Sequence, residues 1–172
     1  MAHIIQVNQI SPNIPPCIFL AVNATVIGNV SFGENCSVWF NTVVRADVNN
    51  IVIGNNVNIQ DGAIIHCTYQ EAATTIGNNV SIGHNAIVHG CTIKDNVLVG
   101  MGSIVMDQAI IGEGSIIAAG AVVLEKTIVP PNTIYAGVPA KKVKSLDPEE
   151  AKAITQKTAD NYIKYKSWYE ES

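Results

Sequence analysis

Aliphatic residues recur along this chain at a spacing of six, and this spacing constrains the fold more than any other feature. Most steps between them are six residues, with exceptions of 9, 11 and 5. Helical positions recur every 3.6 residues, so a period of six fits no face of an α-helix. It fits a short strand followed by a corner, repeated many times. The recurring positions are Val38, Val44, Ile53, Ile59, Ile65, Ile76, Ile82, Val88, Ile93, Val99, Val105, Ile111, Ile117 and Val123.

Three such units make one triangular coil, and successive coils stack as parallel strands about 4.8 Å apart. Each coil buries its aliphatic side chains only against neighbouring coils, as in other solenoids. We therefore predict an all-β solenoid, a parallel β-helix of hexapeptide repeats, over about residues 11–129. Its left-handedness is implied by resemblance to known hexapeptide-repeat proteins. A β-sandwich of short strands is the alternative, but it does not explain fourteen positions in near register.

Two irregular steps predict loops. The step of 9 inserts three residues near residues 49–52, and the step of 11 inserts five residues within Tyr69 to Thr75. Loops pushed out from a corner carry function more often than the coils do.

The repeat stops after two consecutive prolines, and a C-terminal α-helix is predicted over about residues 146–170. Ser145 or Asp147 is the expected N-cap. An aromatic stripe on this helix is expected to pack along the β-helix or against a neighbouring subunit. Residues 1–172 then form a single domain.

Charge and cysteine content exclude several classes of protein. The formal net charge is −4 and only 14% of residues are charged, so there is no basic footprint for nucleic acid. No signal peptide or membrane-spanning run is present, so we expect no membrane association. The four cysteines lack C-x-x-C spacing and are expected to be reduced, in a cytoplasmic protein. Cys67 and Cys91 adjoin histidines, but strand alternation turns their side chains towards packing rather than metal ligation.

Three of the four histidines lie within 24 residues. Counting three aliphatic positions per coil places His66 and His89 one coil apart in one outward column. Their separation of 23 is one coil of 18 plus the five inserted residues. Two imidazoles stacked about 4.8 Å apart can share one metal ion with bonds of roughly 2.0–2.1 Å. His3 lies outside the repeats and is expected to be unstructured surface.

His84 is predicted to lie at a corner and to point away from this column, since five extended residues reach up to ~16 Å. It can join the other two histidines if a second copy of the chain presents its corner to their face. The three-fold symmetry of a triangular prism supplies that geometry. We therefore predict a homotrimer with one metal site at each of its three interfaces.

Four polar residues precede the histidines in the sequence. Arg45 and Asp47 are expected to form a salt bridge across the subunit interface. Asp61 is placed to orient a ligand histidine, or to receive Arg45 from the neighbouring chain. Gln60 is placed to hydrogen-bond a water on the metal, which makes it a catalytic candidate. Contacts that only hold the trimer together are the alternative role for these residues.

The motifs R-A-D at 45–47, Q-D at 60–61, His66, and H-x-x-x-x-H at 84 and 89 resemble the γ-class carbonic anhydrase family. The resemblance covers nearly the whole chain. The segment Y-A-G-V-P-A-K-K-V-K resembles the close of many hexapeptide-repeat proteins, including acyltransferases. The family resemblance implies a trimer with Zn²⁺, Fe²⁺ or Co²⁺ at each interface. It also implies two histidine ligands from one chain and one from its neighbour.

The reaction implied by the resemblance is the reversible hydration of CO₂ to bicarbonate, a carbonate dehydratase (lyase) activity. Gln60 would orient the attacking hydroxide, and Glu71 or bulk buffer would carry off the proton. Tyr135 is a further candidate near the site. The sequence departs from the family's archaeal prototype in two places. Val48 stands where a glutamate follows R-A-D, and the loop after the first ligand is short, with Glu71 as its only acid.

Two other functions stay open at this point. Acyl transfer from acyl-CoA is the other large activity of this fold, but it typically needs one general-base histidine. The set of His66, His84 and His89 favours hydration over acyl transfer. A metal-binding trimer with little hydratase activity, used for storage or as a thioesterase on acyl-CoA, is the third hypothesis. Val48 and the short loop count towards it, although hydration stays the preferred interpretation.

Overall fold

Each six-residue repeat forms a short strand followed by a turn, as the spacing predicted. The computed structural model describes residues 1–170 and is a left-handed parallel β-helix of about seven coils, which confirms the predicted fold. The earlier strands are β1 (His3–Ile5), β2 (Phe19–Leu20), β3 (Thr25–Phe32), β4 (Ser37–Val38), β5 (Val43–Ile53), β6 (Asn58–Ile59), β7 (Ile64–His66), β8 (Thr74–Ile76), β9 (Ser81–Ile82) and β10 (Ile87–His89). The later elements are β11 (Thr92–Ile93), β12 (Leu98–Val99), β13 (Ile104–Val105), β14 (Ile110–Ile111), β15 (Ile116–Ile117), β16 (Val122–Val123), β17 (Ile128–Val129), β18 (Thr133–Ala136), β19 (Lys141–Ser145) and the helix α1 (Pro148–Glu170).

Three faces of parallel strands enclose the core. The first face contains the start of β5 with β7, β10, β13 and β16, and the second contains the end of β5 with β8, β11, β14 and β17. The third face contains β2, β4, β6, β9, β12, β15 and β18. Burying each inward aliphatic side chain contributes roughly 1.5–3 kcal/mol. On the first face the inward column, paired in register and fully buried as predicted, is Val44, Ile65, Val88 and Val105.

Asparagines in the left-handed conformation turn the chain at one corner. Asn56, Asn79 and Asn96 have φ angles of 55°, 54° and 57°, a region that asparagine and glycine adopt far more readily than other residues. Their side chains form a ladder, in which Asn56 Nδ2 donates to Asn79 Oδ1 at 3.0 Å and Asn79 Nδ2 donates to Asn96 Oδ1 at 3.2 Å. The corner therefore repeats from coil to coil, which keeps the faces in register.

The two predicted loops have different outcomes. The loop near residues 49–52 is wrong, because these residues lie inside β5, which continues from the first face to the second. The neighbouring strand β3 pairs with both halves of β5 and so absorbs the inserted residues. The second loop is present as a turn over residues 69–71, closed by a bridge between Thr68 and Ala72. It is shorter than predicted, because β8 begins at Thr74.

Both ends of the chain add to the β-helix. His3, predicted to be unstructured, lies in β1, which pairs in parallel with β3, although its side chain is exposed. Beyond the two prolines, β18 stacks on β15 and then pairs with β19 in antiparallel fashion. The coils therefore extend further than the repeat suggested. Asp147 is the N-cap of α1, since its Oδ1 accepts the N–H of Glu149 at 2.9 Å.

Helix α1 lies along the third face of its own chain. The rings of Tyr162 and Tyr169 contact the ring of Trp39, with centroid distances of 5.3 and 5.6 Å. Lys166 Nζ donates to the backbone carbonyl of Cys17 at 3.0 Å. Of the two packing partners predicted for the aromatic stripe, the structure shows the β-helix. Within residues 1–170, no helix has the length and apolar character needed to cross a bilayer.

Candidate metal centre

Two histidine rings meet on the outer side of the first face. His66 ends β7 and His89 ends β10, and the two residues are direct partners across the parallel strands. The strand register therefore places both side chains in one outward column, as predicted. Their ring centroids are 5.0 Å apart, and Nδ1 of His66 lies 3.0 Å from Nε2 of His89. The side chains are 15% and 34% exposed, so the pair is partly shielded from water but accessible.

A carboxylate lies behind each ring. Asp47 Oδ1 is 3.1 Å from Nε2 of His66, and Asp107 Oδ1 is 2.5 Å from Nδ1 of His89. An ionised carboxylate only accepts hydrogen bonds, so each of these ring nitrogens carries the hydrogen. A neutral imidazole has one N–H, which leaves a lone pair on Nδ1 of His66 and on Nε2 of His89. These two nitrogens, which have no carboxylate partner, face each other across 3.0 Å, a position where a shared proton or a metal ion would satisfy both.

The pair has the spacing of two ligands of one metal ion. With metal–nitrogen bonds of about 2.05 Å and a tetrahedral angle, two ligand nitrogens lie about 3.3 Å apart, close to the observed 3.0 Å. Carboxylates on the far nitrogens are typical of histidine metal sites, where they fix the ring orientation and raise the basicity of the ligand. The residues present therefore fit an ion such as Zn²⁺. In the described part of the chain, no group of three or more His, Cys, Asp or Glu side chains is arranged to hold an ion.

Arg45 supports the His66 side of the site. Its Nη1 is 2.7 Å from Asp47 Oδ2, so Asp47 links Arg45 to His66 within the chain. The predicted contact of Arg45 and Asp47 across a subunit interface stays a prediction. Burial raises the pKa of Asp47, but hydrogen bonds from Arg45 and His66 outweigh it and leave the pKa below its usual value. Burial lowers the pKa of His66, more than its hydrogen bond to Asp47 raises it. The lower value favours the neutral ring, which is the form that binds metal.

Asp107 is a site residue that the sequence analysis missed. Its Oδ2 accepts a hydrogen bond from Thr68 Oγ1 at 2.5 Å. Burial raises the pKa of Asp107, but hydrogen bonds from His89 and Thr68 lower it overall. Met106, rather than Asp107, holds the position one coil beyond His89 in the outward column. A carboxylate 18 residues after His89, one coil further on, was the available signal.

His84 lies at another corner, in the turn after β9. Its Nδ1 is 2.9 Å from Asp61 Oδ2, and its Nε2 is 3.3 Å from the hydroxyl of Tyr162. The contact agrees with the predicted role of Asp61 in orienting a histidine. Burial raises the pKa of Tyr162 to about 12, so this hydroxyl is protonated at neutral pH. The aromatic stripe of α1 was predicted only to pack, and the contact of Tyr162 with His84 depends on how α1 docks.

Gln60 belongs with His84 rather than with the histidine pair. It is 5% exposed, and its Nε2 donates to Asn58 Oδ1 at 3.0 Å, which fixes the direction of the amide. Gln60, His84 and Tyr162 line a groove of about 440 Å³ between the third face and α1. A role for Gln60 at the histidine pair therefore requires the same approach of a second chain that His84 requires.

The two weaker catalytic candidates differ in position. Glu71 is exposed in the turn that follows His66, with its Oε1 3.5 Å from Gln108 Nε2. Tyr135 lies in β18, three strands along the third face from β9. Three strand spacings are roughly 14 Å, so the structure does not bring Tyr135 to the level of His84.

The cysteines next to the histidines are packing residues. Cys67 and Cys91 are 0% and 1% exposed. Burial raises the pKa of Cys91 to about 12 and also raises that of Cys67. Neutral buried thiols are poor metal ligands, because the thiolate is the form that binds. This outcome agrees with the prediction from strand alternation.

Proteins similar to this chain carry names of two kinds, carbonic anhydrases and hexapeptide transferases. The family model described as bacterial transferase hexapeptide (six repeats) matches residues 90–125. A Methanocaldococcus jannaschii protein named "Probable carbonic anhydrase" is 49% identical over 145 residues, which cover 84% of this chain and 90% of that protein. "Carbonic anhydrase" from Geobacillus kaustophilus is 40% identical and covers 92% of this chain and 86% of its own length. "Gamma carbonic anhydrase 2, mitochondrial" from Arabidopsis thaliana is 38% identical, over 89% of this chain and 56% of that protein.

The similar solved structures carry transferase names. A hexapeptide transferase family protein from Anaplasma phagocytophilum is 41% identical with a TM-score of 0.92, over 97% of this chain and 98% of that chain. A maltose O-acetyltransferase from Clostridium difficile is 25% identical with a TM-score of 0.52, over 78% of this chain and 70% of that chain. The shared architecture therefore spans both names, and the site residues must decide between them.

Proposed function

We propose that this chain, which belongs to the γ-class carbonic anhydrase family, catalyses the reversible hydration of CO₂ to bicarbonate at a metal ion bound by His66, His84 and His89. The observation that carries the proposal is the 3.0 Å approach of His66 Nδ1 to His89 Nε2, with a carboxylate on the other nitrogen of each ring. Imidazole ligands suit Zn²⁺ and also Fe²⁺ or Co²⁺. We propose one such ion for each chain.

The third ligand is proposed to come from a second copy of the chain in a homotrimer. His84 is 39% exposed at its corner, where a neighbouring chain can reach it. In a three-fold assembly the corner of one chain faces the first face of the next, so each His84 completes the pair of its neighbour. Apolar side chains flank the pair on that face, with Ile64 43% and Met106 38% exposed. Covering them supplies a reason for the chains to associate.

A metal ion held by His66, His84 and His89 would supply hydroxide at neutral pH, because it would lower the pKa of a water to about 7. Gln60 is proposed to hydrogen-bond the attacking oxygen and so to fix the direction of its lone pair. Its amide is held in place by Asn58, and it enters the site from the same chain as His84. Glu71, exposed in the turn after His66, is proposed to accept the released proton and pass it to buffer.

The test is metal analysis of the purified protein together with a CO₂-hydration assay on the same sample. We expect about one ion per chain and hydration faster than buffer, which a chelator abolishes and added Zn²⁺ or Co²⁺ restores. A fully metal-loaded sample that hydrates CO₂ no faster than buffer would contradict the proposed reaction. The hypothesis of a metal-binding trimer with little hydratase activity would then remain.

Acyl transfer or thioester hydrolysis on acyl-CoA is the second candidate. The groove beside His84 has a volume of about 440 Å³ and is lined by apolar side chains such as Leu98 and Ile116. That volume exceeds what CO₂ needs and lies within the range of ordinary ligand pockets. His84, oriented by Asp61, has the arrangement of a general base. Consumption of a CoA thioester by metal-free protein would favour this candidate over hydration.

The proposed compartment is the cytoplasm. All four cysteines are free thiols, as expected in a reducing environment. The formal net charge of −4 offers no basic surface for nucleic acid. CO₂ and bicarbonate are the proposed small-molecule partners.

A further inference from the structure

Asp107 engages two different parts of the chain at once. It lies in the turn after β13, where its Oδ1 accepts the Nδ1–H of His89 and its Oδ2 accepts the hydroxyl hydrogen of Thr68, each at 2.5 Å. Thr68 stands at the base of the turn over residues 69–71. One carboxylate therefore ties a histidine at the end of β10 to the loop that follows β7.

We propose that Asp107 is a positioning residue, which holds His89 as the Nδ1–H tautomer and so presents Nε2 to the metal ion. The inference rests on the proposed function for the identity of His89 as a ligand. A neutral imidazole can carry its hydrogen on either nitrogen, and only the nitrogen without it can bind metal. A charge-assisted hydrogen bond to one nitrogen selects between these two forms.

The surroundings of Asp107 fix where its carboxylate lies. Thr68 is itself held, because its N–H donates to the carbonyl of Ala72 at 2.9 Å and its own carbonyl accepts Asn49 Nδ2 at 3.1 Å. Gly90 follows His89 and leaves room for the carboxylate, since a Cβ there would lie 2.5 Å from Asp107 Oδ1. The hydroxyl of Thr68 and the space beside Gly90 together hold the carboxylate of Asp107 against His89.

The second carboxylate of the site is arranged differently. Asp47 is held by the guanidinium of Arg45 and contacts Nε2 of His66, so it turns Nδ1 of that ring towards the ion. Asp107 contacts Nδ1 of its own histidine and turns Nε2 towards the same point. The two carboxylates therefore select opposite nitrogens of the two rings, which is what brings the lone pairs together.

The experiment uses the full chain in metal-free and Zn²⁺-loaded forms. Zn²⁺ affinity is measured by competition with a chelator, and the tautomer of His89 by ¹⁵N NMR of the ring nitrogens in metal-free protein. We expect Asp107→Ala to weaken Zn²⁺ binding roughly 10- to 100-fold and to lose the single Nδ1–H tautomer. Asp107→Asn should recover most of both, because its side-chain carbonyl oxygen still accepts the hydrogen bond. Thr68→Val should weaken binding less than Asp107→Ala.

Two matched controls separate positioning from general damage. Asp95→Asn changes a carboxylate whose partner is Asn78 at another corner, and Thr75→Val changes an exposed threonine on β8. Both should leave the affinity and the tautomer unchanged. If Asp107→Ala does not fold, Thr68→Val decides the question, because it removes the hydroxyl that holds the carboxylate; a wild-type affinity and tautomer in Thr68→Val then overturn the positioning role.

The outcomes for the two proposals differ. A tautomer and an affinity that stay at the wild-type values in Asp107→Ala overturn the positioning role. Wild-type protein that binds no Zn²⁺ overturns the proposed function instead, while the tautomer measurement in metal-free protein still shows whether Asp107 holds His89.

Discussion

Nδ1 of His66 lies 3.0 Å from Nε2 of His89, although each ring belongs to a different coil. The strands place the rings side by side, and Asp47 and Asp107 turn them so that the nitrogens without hydrogen face each other. A site held in this way would need little rearrangement to bind a metal ion.

His89→Ala is expected to abolish stoichiometric metal binding. The variant would leave His66 and a neighbour's His84 as the only histidine ligands, and two histidines on two chains cannot match a three-ligand site. Metal content, measured by atomic emission, should be about one ion per chain in the wild type and a small fraction of that in the variant.

His3→Ala is the matched control for this experiment. His3 is exposed in β1, three strands from β7, and is in register with Ile64 rather than with His66. Its removal should leave metal content and hydration rate at wild-type values. If His89→Ala retains one ion per chain, the ligand assignment is wrong.

The protein is expected to be a homotrimer in solution. Analytical ultracentrifugation should give about three times the chain mass of 18.3 kDa. His84→Ala should keep this mass, because the apolar side chains of the first face remain, but it should lose the metal. A metal-loaded monomer would reject a site shared between chains.

The coil architecture could be predicted from the sequence because inward positions repeat with the coil itself. Val44, Ile65 and Val88 are neighbours in space since each stands one coil from the next. The same counting placed His66 beside His89. These relationships depend only on the backbone register, which an aliphatic period of six reveals directly.

The remaining features depend on more than the period. The insertion near residues 49–52 joined β5 instead of forming a loop, because β3 offered it a pairing partner. Asp107 reaches His89 from one residue beyond the matching column position, and Tyr162 reaches His84 through the docking of α1. The spacing of aliphatic residues does not predict side-chain direction at turns or the packing of a helix.

Gln60→Ala is expected to keep the metal and slow hydration. Gln60 is placed to contact the attacking oxygen rather than the ion, so the loss is that of one hydrogen bond, roughly 1.4 kcal/mol or tenfold in kcat. Metal content and stopped-flow hydration should be measured on the same preparations. Gln6→Ala, at an exposed N-terminal position, should match wild type in both. A Gln60→Ala variant with wild-type kcat would remove Gln60 from the catalytic residues.

Glu71→Gln is expected to slow hydration at low buffer concentration and to approach the wild-type rate as buffer rises. The exposed carboxylate would no longer accept the proton, and an external base can replace it. Hydration should be followed over a series of imidazole concentrations. Glu125→Gln, an exposed change on another turn, should leave the buffer dependence unchanged. Identical curves for Glu71→Gln and wild type would show that the turn has no part in proton transfer.

The buried thiols are expected to resist modification and to make stability fall at high pH. Burial raises the pKa of Cys36 to about 11 and of Cys91 to about 12, and it raises the pKa of Cys67 as well. An aromatic disulfide reagent at pH 8 should therefore react in the native protein with Cys17 at most, which is the exposed thiol, and with all four thiols in denaturant.

The free energy of unfolding is expected to fall as the pH rises above about 9. The folded protein holds these thiols neutral, whereas in the unfolded chain they ionise near the ordinary pKa of 9.0. Their contribution to the free energy of unfolding is therefore intact below pH 9 and is lost as the pH rises towards 11 and 12. Urea unfolding between pH 8 and about 11 should show a falling midpoint, and the fall should be smaller in Cys91→Ala than in wild type. Cys17→Ser, the exposed control, should follow the wild-type curve, and equal slopes for Cys91→Ala and wild type would contradict the assignment.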